Sequence, residues 1–113
     1  MKYPFPKVDL HLHLDGSNRI STIWELAQKQ GVELPGKTIE EYTNWLLQCQ
    51  TSGAVNEFLK QFDTQLSVEQ DPESLSRVTF ELIEDLHNQG LAYAEIRFAP
   101  CLSTNKGLTL TIK

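Results

Sequence analysis

Lys7-Val8-Asp9-Leu10-His11-Leu12-His13-Leu14-Asp15-Gly16 alternates apolar and polar residues without a break. Val8, Leu10, Leu12 and Leu14 fall on one face of an extended strand, and Asp9, His11, His13 and Asp15 on the other, because strand side chains repeat every two residues. The two imidazoles therefore point the same way, with Cα atoms about 6.6 Å apart. Rings so placed can converge on one metal ion at about 2.0–2.1 Å per nitrogen. A His-x-His pair alone is also ordinary on the solvated face of an antiparallel hairpin. Three features favour a metal-dependent hydrolase. Two carboxylates share the face, Asp15-Gly16 is a turn pair, and no partner strand follows closely.

Outward from this strand the chain reads as helices. The first covers residues 20–30, with Ile20, Ile23, Trp24 and Ala27 as its apolar stripe, Thr22 and Glu25 as a capping box and Gly31 as its stop. Thr38 and Glu41 cap a second helix whose inner face carries Tyr42, Trp45, Leu46 and Cys49, and Thr51-Ser52-Gly53 breaks it. A third carries Val55, Phe58, Leu59, Phe62 and Leu66 at helical spacing. Asp71-Pro72 starts a fourth, running to about Asn88 with Leu75, Val78, Leu82 and Leu86 inward and Gly90 closing it. Residues 91–99 form a second strand. The strands lie about 80 residues apart, whereas a plain βαβ unit needs about 30. The surplus is a helical insertion over about residues 20–70.

His-Leu-His-Leu-Asp-Gly-Ser (11–17), between a strand and a helix, resembles the opening of the adenosine deaminase family. Glu57-Phe58-Leu59-Lys60-Gln61-Phe62-Asp63 resembles that family's Phe-Leu-x-x-Phe-Asp helix. Gly90-Leu91-Ala92-Tyr93-Ala94-Glu95-Ile96-Arg97-Phe98-Ala99-Pro100 resembles its second barrel strand. The three stretches keep the family's order, and the likeness covers about residues 7–110. It implies an α/β fold, the N-terminal portion of a (β/α)₈ TIM barrel, with the insertion over the mouth where such barrels hold their active sites.

A complete barrel takes about 250 residues, and this chain has 113. The expectation is an N-terminal fragment of a single deaminase domain, inactive and poorly stable alone. The family's third His, metal-binding Asp, general-acid Glu and second catalytic His would lie downstream. Thr109-Leu110-Thr111-Ile112-Lys113 reads as the start of the family's next helix.

Carried over residue by residue, the resemblance implies that His11 and His13 are zinc ligands. His13 also lies near the ribose, and Asp15 bonds the ribose 5′-hydroxyl. Phe58, Leu59 and Phe62 form an apolar gate beside the purine, although periodicity alone reads that stripe as helix-packing core. Zinc lowers the pKa of a bound water to about 7. In the family that water adds to C6 of adenosine or 2′-deoxyadenosine, ammonia leaves and inosine results. Adenine deaminases are similar but tend to carry Glu-Gly where this chain has Asp15-Gly16, which favours the nucleoside.

Other readings stay open. Phosphoesterases of the polymerase-and-histidinol-phosphatase type also open with Asp-x-His-x-His, usually followed by a short loop. A non-catalytic α/β module is the alternative from another class. Arg97 reads as structural, paired with Glu95 or reaching Asp9. His87 sits where a helix dipole favours a cation, and Asp63 is undecided. The expected partner is a small purine nucleoside. A net charge of −5 argues against nucleic acid and anionic membranes. Met1-Lys2-Tyr3-Pro4-Phe5-Pro6 lacks the apolar run of a signal peptide, and no run could span a bilayer, so the expected compartment is the cytoplasm. Cys49 and Cys101 then read as small reduced hydrophobes. Oligomeric state has no signature here.

Overall fold

The computed structural model describes residues 5–109. The reading of residues 1–4 as free of a leader, and of residues 110–113 as a helix start, lies outside the described residues. Strand β1 (Lys7–His13) runs into a 3₁₀ turn (Leu14–Gly16). Helices α1 (Ile20–Gln30), α2 (Ile39–Thr51), α3 (Val55–Leu66) and α4 (Pro72–Asn88) follow, then β2 (Leu91–Arg97) and a second 3₁₀ turn (Pro100–Ser103). β1 and β2 pair in parallel, with Leu12 opposite Ile96 and His13 opposite Arg97. Both C-terminal ends therefore lie on one side. β2 stops two residues short of the expected Ala99. His13, the last residue of β1, is used by Arg97, which leaves Phe98 and Ala99 nothing to pair with.

Leu14, Ile23, Leu26, Ala27, Tyr42, Leu46, Val68, Val78, Leu82 and Leu86 form the buried core, and Leu12, Leu91, Ala94 and Ile96 pack against it. The apolar side of β1 thus divides. Leu12 and Leu14 meet the helices, while Val8 and Leu10 stay exposed. The Thr22–Glu25 capping box does not form. Arg19 occupies the N-cap, and Thr22 is buried inside the first turn with its hydroxyl donating to Glu81. Arg19 ties the same helix end to α4 through Asp85 at 2.7 Å and Glu84 at 2.8 Å. Gly31 ends α1 at φ 71°, a left-handed conformation that glycine reaches without strain.

The predicted caps of α2 and α4 do form. Thr38 accepts from the Glu41 N–H at 3.2 Å, and Asp71 accepts from the Ser74 N–H at 2.8 Å with Pro72 in the first turn. Asp71 also accepts from the Ser74 hydroxyl at 3.0 Å. Asp71→Ala is expected to lower stability by ~1 kcal/mol, the usual cost of a lost N-cap, and Asp71→Asn by less. Thermal melts of the two variants check this; equal losses would show that charge, not capping, is what the residue contributes.

α3 departs most from its sequence reading. Its periodic apolar stripe is not core: Val55, Phe58 and Leu59 are exposed and Phe62 is half-buried. The buried residues of α3 are Gln61 and Gln65. Hydrogen bonds make that burial tolerable, since Gln61 accepts from Gln50 at 3.2 Å and donates to the Phe58 carbonyl at 3.0 Å.

Candidate active site

The end of β1 brings its two imidazoles together. Nε2 of His11 lies 2.9 Å from Nε2 of His13, with ring centroids 4.9 Å apart. Both side chains are exposed at the open face of the strand. Two nitrogens this close can share one ion about 2.0–2.1 Å away, so the pair fits two ligands of a zinc site. Among the described residues no group of three His, Cys, Asp or Glu forms a cation cage. Asp9 serves the backbone instead of a ring: its carboxylate accepts the His11 N–H at 3.1 Å and steadies the strand there.

Arg97 sits opposite His13 but makes neither of the pairs expected of it. The Glu95 carboxylate is reached by the Tyr93 hydroxyl at 3.4 Å, and among the described residues Arg97 forms no ion pair. An exposed guanidinium stays hydrated, so nothing forces it to pair. His87, in the last turn of α4, and Asp63, on α3, are both exposed and outside the His11–His13 pair.

The turn after the strand places the next groups. Leu14 anchors it in the core, and Asp15 follows with one carboxylate oxygen buried and without a hydrogen-bond partner. A buried acceptor left empty is costly and marks a place for a donor. Gly16 is needed for space, since it is not among the positive-φ glycines. A Cβ there would lie 2.5 Å from Cε1 of Phe62, so the ring packs directly on the turn. Phe58 meets Phe62 edge-on at 5.8 Å. The exposed apolar face of α3 therefore continues from the turn that carries Asp15.

Behind the turn lies a buried polar group that sequence reasoning missed. Asn18 donates to Glu69 and, at 3.4 Å, to Gln65 of α3. Glu69, in the α3–α4 connection, is 2% exposed. Burial pushes its carboxyl up to about 7; the Asn18 bond opposes the shift and the Asp15 charge adds to it. The carbonyl oxygen of Asn18 is also buried without a partner. No local pattern marks a glutamate ahead of a helix cap as buried, because its burial comes from segments some fifty residues away. A groove lined by Trp24, Gln28, Val32, Leu34 and Lys37 among others holds no imidazole or thiol.

The adenosine deaminase family profile matches residues 6–112. An adenosine deaminase of Vibrio vulnificus is 42% identical over 108 residues, covering 96% of this chain and 33% of the relative. One from Haemophilus ducreyi is 46% identical over 102 residues, covering 90% and 30%. This chain thus spans about a third of the length of the curated relatives it matches. Among solved structures, an adenine deaminase from Arthrobacter aurescens superposes with a TM-score of 0.77 at 29% identity, over 92% of this chain and 31% of that one. An N6-mAMP deaminase from Arabidopsis gives 0.66 at 32% identity, over 84% and 28%. The fold is the α/β arrangement that opens these TIM-barrel deaminases.

Proposed function

The chain belongs to the adenosine deaminase family, and we propose that the protein carrying it hydrolyses adenosine and 2′-deoxyadenosine to the inosine nucleosides and ammonia. The observation that carries this reading is the convergent pair His11 and His13, followed at once by the unpartnered Asp15 carboxylate beside the apolar face of α3. His11 and His13 would hold a zinc ion as neutral imidazoles. When bound, that ion supplies a water acidic enough to act as nucleophile near neutral pH.

The other residues bind and orient. Asp15 accepts a hydrogen bond from the ribose 5′-hydroxyl. His13 lies on the sugar side of the same pocket. Phe58, Leu59 and Phe62 lay an apolar wall along the purine and exclude water from it. In this reading α1, α2 and α3 (about residues 20–70) are an insertion over the mouth of the barrel, and this chain is the N-terminal part of one barrel domain. The reaction belongs to the cytoplasm, where free Cys49 and Cys101 stay reduced. Among the described residues no helix is long and apolar enough to cross a membrane.

A second reading, deamination of free adenine, draws on the Arthrobacter aurescens likeness. Asp15 separates the two. Asp15→Ala is expected to weaken use of adenosine by ~1–3 kcal/mol, the cost of leaving a buried polar partner unsatisfied, and to affect 5′-deoxyadenosine much less. Steady-state ammonia release from adenosine, 5′-deoxyadenosine and adenine measures it. Equal losses on both nucleosides would mean that Asp15 serves the turn or the metal, and preferred turnover of adenine would select the second reading.

A further inference from the structure

We propose that Glu69 is a positioning residue for Asp15: from the α3–α4 connection it holds Asn18, as the neutral acid, and so fixes the turn that presents the Asp15 carboxylate. The proposal rests on the reading of Asp15 as the sugar-binding group.

The geometry leaves Glu69 little choice of state. Its side chain is 2% exposed, and no described Lys, Arg or His forms an ion pair with it. The charged group that bears on it is Asp15, from the turn after β1, and it is of like sign. The remaining neighbours are neutral or already engaged. Asn18 and Gln65 are amides. Gln30 of α1 donates to the Val68 carbonyl at 3.1 Å, and Asp71 at the start of α4 is taken up by Ser74. A carboxylate here would be buried, answered by a neutral amide alone and repelled by Asp15, so the proton is held up to about pH 7.

The neutral acid also supplies what the cluster lacks. Two buried acceptors, on Asp15 and Asn18, have no donor. The neutral acid keeps a carbonyl oxygen to accept the Asn18 amide N–H and adds an O–H donor of its own. Loss of the Glu69 proton removes the donor and adds a charge that opposes Asp15. Its folded value, about 7, exceeds its ordinary 4.5. The native state therefore binds more protons than the unfolded state between those values, and stability falls as pH rises through that window.

The test compares wild type, Glu69→Gln, Glu69→Leu and Asp15→Ala in the protein that carries this chain, with KM and kcat measured for adenosine and 5′-deoxyadenosine from pH 6 to 8. Wild type should show a KM for adenosine that rises with pH, and Glu69→Gln, which keeps a neutral donor, should keep the low value and lose the rise. Glu69→Leu should raise KM for adenosine about tenfold with kcat nearly unchanged, and that for 5′-deoxyadenosine far less. A Glu69→Gln profile that tracks wild type would overturn the proposal, even if Glu69→Leu fails to fold. So would a Glu69→Leu loss equal on both substrates while Asp15→Ala still discriminates between them. If Asp15→Ala itself does not discriminate, it is the sugar-binding reading that fails.

Discussion

His11→Ala and His13→Ala should each lower adenosine deamination by on the order of 10³-fold or more, with the fold intact. Each ring supplies half of what this chain offers to a metal, and the metal's help to the reaction amounts to several kcal/mol at about 1.4 kcal/mol per tenfold in rate. Both imidazoles are exposed, so their removal leaves no cavity. Circular dichroism should match wild type, while metal content by atomic spectroscopy falls. Retention of activity within about tenfold in either variant would remove that histidine from the site.

The largest stability effect is expected at Tyr42. It is fully buried, its ring stacks on Trp45 at 6.3 Å and sits 6.1 Å from Trp24, and its hydroxyl shares a 2.7 Å hydrogen bond with Thr64 of α3. Tyr42→Ala should cost ~3–5 kcal/mol, as other buried aromatic truncations do. Tyr42→Phe removes only the hydroxyl and should cost ~1 kcal/mol. Urea denaturation measures both. The hydroxyl also fixes how α3 sits on α2. The phenylalanine variant should therefore raise KM for adenosine several-fold without changing metal content, because the apolar wall of α3 loses a support. An unchanged KM would confine Tyr42 to the core.

What could be read from the sequence was what short-range periodicity and capping encode. Strict alternation from Val8 to Asp15 places His11 and His13 together, and the structure holds their Nε2 atoms 2.9 Å apart. Thr38 and Asp71 cap as side-chain chemistry requires. The failures are non-local. Thr22 and Glu25 have the spacing of a capping box, but α1 begins at Ile20 as expected, and Thr22 turns inward with its hydroxyl on Glu81 of α4. The stripe on α3 has the period of a buried face, yet Gln61 and Gln65 are the residues covered. Periodicity finds an apolar face and does not say what it faces. Gly16 reads as a turn glycine, whereas its use is to let Phe62 approach from a segment 46 residues later. Asn18 and Glu69 have no sequence signature, because each becomes polar machinery only when the other is folded beside it.

The central claim is that His11 and His13 form part of the metal site of a purine-nucleoside deaminase. Anomalous diffraction from crystals of the protein at the zinc absorption edge tests it most directly. The account predicts a single strong peak within about 2.0–2.1 Å of Nε2 of both His11 and His13, lost in the His11→Ala variant. A peak coordinated elsewhere, or an active enzyme with no peak at these rings, would contradict it.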